Sequence, residues 1–497
     1  MKTHTSPSKA VFTPALARIV ATVSVGFVVT QLDVTIVNIA LARIANDLGA
    51  TVAGLQWIVD AYTLAFAVLM LSGGVLGDRL GARRMFAAGI ALFAVASLGC
   101  ALATHPAILV AARALQGVGA AAMLPNSLSL LNNACGHDPK LRARAVGFWT
   151  ATGAVSIAAG PVIGGLLIAA FGWRSIFFVN LPICAAGLLA TFAWIPDERK
   201  PASAMSDKAM NDAVRNDAVR NQATPRSIDL RGQILAITTL TAFTFAAIEV
   251  RPLGITHALV WGGFLLAVAA GVAFVAVESR VASPMLPLNL FRIRTFSAAV
   301  VFGICVNLTY YGMVFVLSLF LQHVRGYSPL AAGLAFLPLT GGFLISNIAS
   351  GSVVARFGAR VPMVAGAIVA ALGYGLLLRV DTLTSLPGML IAFLLIPSGM
   401  GLAVPAMTTA ILASVDKPRA GTASAVLNTA RQAGGAIGVA AFGALVGDSA
   451  PTSIVNGLHI ATIVCVVLLL TGAILGSLVH PEPHAREKGD RERMALR

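Results

Sequence analysis

Charge is what this 497-residue sequence has least of. Only 11% of its residues are Asp, Glu, Lys or Arg, against about 25% in an ordinary soluble domain. Hydrophobic residues make up 57%. That balance excludes a soluble globular chain and points to an all-α polytopic membrane protein. Cysteine is sparse and scattered: Cys100, Cys135, Cys184, Cys305 and Cys465 stand singly, with no CxxC and no Cys/His cluster. A thiolate metal site is therefore not expected, and the five read as small apolar fillers. The sequence also lacks a G-x-x-x-x-G-K-[ST] phosphate loop, an H-E-x-x-H and a G-x-S-x-G. Those absences argue against an ATP-driven pump, a membrane protease and an esterase. No enzyme, metal or organic cofactor is expected; transport driven by an ion gradient remains.

What is present is a series of apolar runs of spanning length. They fall near 16–40, 52–76, 84–104, 107–131, 145–171, 175–195, 232–249, 257–277, 295–321, 329–354, 361–378, 386–412, 420–446 and 458–479. The N-terminal run resembles a signal peptide, but it is too long and carries Asp33, so it reads as an uncleaved first span. Fourteen spans put both termini on one side of the bilayer, and the basic residues say which. With the termini cytoplasmic, 28 of the 35 Lys and Arg lie in inner segments and five in outer loops, while Arg113 and Arg431 lie within spans. This is the positive-inside pattern. The net charge of +15 is thus a topology signal, and no nucleic-acid partner is expected.

The longest hydrophilic piece, 197–231, holds seven basic and six acidic residues and repeats a pentad in "NDAVRNDAVR". It reads as a flexible cytoplasmic linker. An internal repeat flanks it. "GGVLGDRLGARRMF" follows span 2 and "GSVVARFGARVPM" follows span 10, matching Gly74 with Gly351, Arg79 with Arg356, Gly81 with Gly358 and Arg83 with Arg360. Asp78 is matched by Ala355, so the two copies are not equivalent. The expected division is an N-terminal six-helix bundle over 1–196, the linker over 197–231, two inserted helices over 232–278, a C-terminal six-helix bundle over 279–480 and a cytoplasmic tail over 481–497. Related halves around a midplane site are a secondary-transporter layout.

Several segments resemble one family. "GVLGDRLGARR" is similar to the signature loop of the major facilitator superfamily, "RALQGVGAA" (113–121) to its span 4 motif, and "GPVIGG" (160–165) to its antiporter motif. "LDVTIVNIAL", "WRSIFFVNLP" and "LFLQHVRGYSPLAAGLAFLP" resemble the fourteen-span drug:proton antiporter subfamily. The resemblance covers roughly residues 17–480. Ala42 stands where Pro is usual, and Ser156 where a further Gly is usual. The resemblance implies a gating role for the loop of Gly74, Asp78, Arg79, Gly81 and Arg83. It implies a bend at the interface between halves for Gly160, Pro161, Gly164 and Gly165.

Charges inside hydrocarbon cost several kcal/mol and mark function or a paired partner. Asp33 is about 10 Å, Asp60 about 12 Å and Arg113 about 9 Å from the outer ends of their spans at 1.5 Å per residue. The three form one expected layer of the N-terminal half, and spans 9–14 contain no acid. A carboxyl that exchanges protons near neutral pH needs desolvation or a second carboxyl beside it. Arg113 or a cationic substrate moving toward the acids would expel the proton. Asp33, Asp60 and Arg113 are therefore the candidates for proton coupling and substrate binding. Trp57, Tyr62, Trp149, Tyr310, Tyr311 and Arg431 are candidates for the cavity wall.

Together these readings imply a monomeric multi-pass transporter of the plasma membrane, with the lipid bilayer, protons and a small amphipathic drug-like substrate as partners. Its energy source is the proton gradient. The leading expectation is exchange of protons for amphipathic, cationic drugs by alternating access. The alternatives are dedicated export of one endogenous metabolite or antibiotic, as in self-resistance, and a membrane sensor that transports nothing.

Overall fold

The computed structural model describes residues 12–136, 139–196, 229–281, 284–416, 419–446 and 450–479. Nearly all of the 197–231 linker, most of the N-tail and the 481–497 tail lie outside them. Among the described residues the chain is helical and has no strand. The first half contributes α1 (Pro14–Leu48), α2 (Val52–Leu80), α3 (Ala82–Ala101), α4 (Pro106–Ala134), α5 (Pro139–Phe171) and α6 (Ser175–Trp194). Next come α7 (Leu230–Leu253) and α8 (Ala258–Glu278). The second half contributes α9 (Arg294–Val324), α10 (Pro329–Phe357), α11 (Arg360–Arg379), α12 (Leu386–Ala413), α13 (Ala420–Val446) and α14 (Pro451–Ser477).

Thirteen of these helices are long and apolar enough to cross a bilayer, and the chain is a multi-pass membrane protein. The exception is α13. Its 27 residues span about 40 Å at 1.5 Å per residue, but Arg431 and Gln432 dilute its apolar character. The fourteen expected runs thus correspond to thirteen strongly apolar helices and one that depends on its neighbours.

Packing repeats from one half to the other. In the first, α1 packs on α5 and α6, α4 on α2 and α3, and α3 on α6. In the second, α9 packs on α13 and α14, α12 on α10 and α11, and α11 on α14. The correspondence is element for element, with an offset of eight helices. The halves meet where α2 packs on α13 and α5 on α10. The pair α7–α8 lies outside both sets, with α7 against α2 and α13. Gln233 secures it: its amide Nε2 donates to the Val68 carbonyl at 2.7 Å, and its Oε1 accepts from the Ser72 hydroxyl. Gln233→Leu is expected to lower stability by about 1–3 kcal/mol, because buried polar groups on α2 lose their partner. A lower melting temperature in detergent checks this.

Glycine permits the closest approaches. Asn126 of α4 lies against Gly77 and donates to the Gly73 carbonyl at 3.0 Å. Gly81 has φ of +98° and ends α2, which allows α3 to start at the next residue.

Candidate functional site

Asp33 and Arg113 form an ion pair, both buried, at the centre of the first half. α1 runs eight residues beyond its expected end at residue 40, so Asp33 lies nearer the middle of its helix than the sequence suggested. Around the pair the polar groups converge from α2, α3, α4 and α6. Arg113 Nε donates to the Ile58 carbonyl at 3.1 Å and its guanidinium donates to Gln116 Oε1 at 2.9 Å. Gln116 Nε2 in turn donates to Asp33 Oδ1 at 3.3 Å and to Ser97 Oγ at 2.8 Å. Asn180 Nδ2 donates to the same Asp33 oxygen at 3.5 Å and to Ser97 at 3.3 Å. The Tyr62 ring lies under the guanidinium, 4.4 Å from its centre. A charge pair removed from water repays its desolvation only with such further hydrogen bonds. Both Asp33 oxygens are satisfied, and α4 gives Arg113 and Gln116 a shared face by their spacing of three.

Asp60 is as buried as Asp33 but does not join this network. Its Oδ1 accepts from Thr63 at 3.5 Å, and its Oδ2 has no partner. The cause is helical phase. Asp60 precedes Tyr62 by two residues, about 200° around the helix, and Tyr62 is the residue that faces Arg113. Asp60 instead follows by one turn Gln56, whose Nε2 donates to the Val439 and Ala440 carbonyls of α13 at 3.2 and 2.7 Å. The expected layer of three is therefore a bonded pair plus a separate carboxyl on the side facing α13.

A cavity of about 1250 Å³ separates the halves on the face that bears the α2–α3 turn. Met70, Gly74, Asp78, Pro125, Trp149 and Asn428 contribute to its wall. On the opposite face the halves are sealed. Gly165 of α5 abuts the Leu330 backbone, Gly333 of α10 abuts the Pro161 carbonyl, and the Ser318 hydroxyl donates to the Asn38 carbonyl. Gly160 and Gly164 serve a different contact, seating α5 on Thr35 and Ile36 of α1. Asp33, Asp60 and Arg113 are absent from the cavity wall.

The residues expected to form a gating loop take different positions. Asp78 faces the cavity, Arg79 is exposed at the end of α2, and Arg83 donates to the Phe192 carbonyl of α6 at 3.0 Å. Of the aromatic candidates only Trp149 lines the large cavity, where it stacks on Phe27 at 4.1 Å. Tyr310 and Tyr311 line a small void near Pro161 and Thr340. Tyr62 belongs to the buried network, and Trp57 packs toward Phe245 of the inserted α7 rather than toward the cavity. Arg431 Nε donates to Asn307 Oδ1 at 3.1 Å within the second half. Gln116, Ser97, Asn180 and Gln56 were not anticipated; only Gln116, inside "RALQG", had a local signal in its spacing from Arg113.

The sequence matches the family model described as Major Facilitator Superfamily over residues 23–439. It is 37% identical to the "Methylenomycin A resistance protein" of Streptomyces coelicolor, over 85% of this chain and 84% of that one. It is 35% identical to the "Multidrug resistance protein Stp" of Mycobacterium tuberculosis, over 86% of this chain and 75% of that one. It is 36% identical to the "Puromycin resistance protein pur8" of Streptomyces alboniger, over 92% and 90%. Among solved structures, a D-xylose-proton symporter superposes with a TM-score of 0.65 at 13% identity, covering 94% of this chain and 98% of that one. That likeness concerns the fold.

Proposed function

The chain belongs to the major facilitator superfamily, and from that premise we propose that it is a drug efflux transporter of the plasma membrane that exchanges protons for amphipathic substrates by alternating access. The relatives named for resistance to methylenomycin A, puromycin and multiple drugs support export as the direction. The observation that carries the mechanism is the buried Asp33–Arg113 network in the half that also holds Asp60, a half separated from the other by a cavity open to one face. The excess of basic residues in the expected inner segments supports a cytoplasmic position for that open face. Substrate enters the cavity there. Proton binding at Asp33 releases Arg113, and the freed guanidinium repels a cationic substrate or attracts an acceptor group on it. Asp60, with one oxygen unbonded, is the second proton acceptor. No cofactor takes part, the chain is not an enzyme, and the working unit is a monomer.

Efflux in a strain stripped of its own pumps tests the direction: expression should raise resistance to, and lower accumulation of, dyes, quaternary ammonium compounds or antibiotics. If one antibiotic alone responds, the protein is a dedicated exporter, a reading favoured by relatives named for single antibiotics. If no compound responds and none is transported in vesicles, the transport reading is wrong. For Asp60→Asn, slower proton-driven transport with unchanged melting temperature is expected, because its Thr63 contact survives and no ion pair is broken. Parallel uptake and melting measurements check both halves of that statement.

A further inference from the structure

A second pair of carboxylates lies far along the chain from Asp33, where the inserted helices meet the cavity. Asp229 caps α7, its Oδ1 accepting from the Gly232 amide at 2.8 Å. Glu278 ends α8, and its Oε2 accepts from the Leu286 amide at 3.0 Å. Both residues line the large cavity. Glu278 is only 2% exposed, and its Oε1 has no partner; Asp229 Oδ2 is likewise buried and without a partner. Both of these oxygens lie within 3.0 Å of the point where a side-chain carbon on Gly232 would stand. They are therefore at most about 6 Å apart, the range over which two carboxylates oppose each other's ionisation.

Neither acid forms a salt bridge among the described residues. The charged groups that share the cavity wall with them are Asp78 of α2, Arg292 of the segment before α9 and Arg419 before α13, while Arg231 and Arg280 are exposed on their own elements. Two buried carboxylate oxygens with no donor lack one hydrogen between them, and a proton supplies it.

We propose that Asp229 and Glu278 share one proton, taken up from the cavity, at a site separate from the Asp33–Arg113 network. One carboxyl O–H then donates to the other's carboxylate oxygen, and the pair carries a single negative charge. The bond links the start of α7 to the end of α8, and through the Leu286 amide to the segment leading into α9. Gly232 fits this arrangement, since a side-chain carbon there would clash with both Glu278 Oε1 and Asp229 Oδ2.

The test is infrared difference spectroscopy of the purified full chain in detergent during a pH titration. It needs no substrate, so its outcome is independent of the transport assay. The titration is run in an Asp60→Asn background, which removes the other buried carboxyl with an unbonded oxygen, and there the protein should show a protonated-carboxyl band that titrates away on alkalinisation. That band should be lost in both Glu278→Gln and Asp229→Asn, and should persist in Asp33→Asn. Either of the first two variants suffices if the other does not fold. An Asp60→Asn protein without such a band, or a band that survives when a folded Glu278→Gln or Asp229→Asn change is added to it, overturns the proposal.

Discussion

Asp33→Asn is expected to abolish proton-driven transport and to destabilise the protein by about 3–5 kcal/mol, the cost of leaving a buried charge without its partner. The amide keeps the shape of the carboxyl but cannot neutralise Arg113, which is 1% exposed and has no other acid within bonding distance among the described residues. Arg113→Gln should destabilise by a similar amount, leaving Asp33 with only the weak amide donors of Gln116 and Asn180. The double variant Asp33→Asn/Arg113→Gln separates the two consequences. It removes both charges together, so most of the lost stability should return. Transport should not return, because the proposed proton acceptor is gone. Melting temperatures and uptake, measured on the same four proteins, decide the matter. If uptake recovers along with stability, the pair is a structural brace.

Gly333→Leu and Gly165→Leu should act at the other end of the cycle. These glycines lie where α5 and α10 close the face opposite the cavity, Gly333 against the Pro161 carbonyl and Gly165 against the Leu330 backbone at 2.7 Å from where a Cβ would stand. A leucine cannot fit without parting the helices. Overpacking of this kind costs about 1–3 kcal/mol, and that cost falls on the conformation sealed at this face. A bias of that size changes the ratio of two states by roughly 5–150-fold. The five native cysteines are buried, so a single Ser129→Cys on the cavity wall reports access from the open side. Its labelling by an aqueous thiol reagent should slow in either leucine background, and transport should fall. Unchanged labelling would mean that this contact does not set the equilibrium.

Much of the architecture was legible because membrane insertion imposes a one-dimensional code. Apolar runs of spanning length located the helices, and the distribution of Lys and Arg gave an independent check on their number. The glycine spacing after spans 2 and 10 exposed the repeat, which reappears as identical helix pairings in the two halves. Asp33 and Arg113 were conspicuous because charge in an apolar helix demands a partner. Their contact required α1 and α4 to be correctly rotated, which spacing alone does not give.

The rest depended on tertiary placement. Ser97, Gln116 and Asn180 are neutral polar residues of a kind common in membrane helices, and only their convergence on Asp33 distinguishes them. Depth placed Asp60 in the same layer, but helical phase turned it toward α13. Trp57 illustrates the same limit: its neighbour is Phe245 of the inserted helix, a surface that exists only because α7 packs against α2. Asp229 and Glu278 fell at the margins of predicted spans and linkers, where acids are unremarkable until their unbonded oxygens are found close to the same glycine, Gly232.

The central claim is that Asp33 exchanges a proton as substrate moves. The most direct measurement is made in inverted membrane vesicles holding an imposed pH gradient, acid inside, with a transported compound identified by the efflux screen. Adding that compound should dissipate the gradient with wild-type protein, and Asp33→Asn protein present at equal abundance should leave the gradient standing. Equal dissipation by the two proteins would contradict the account.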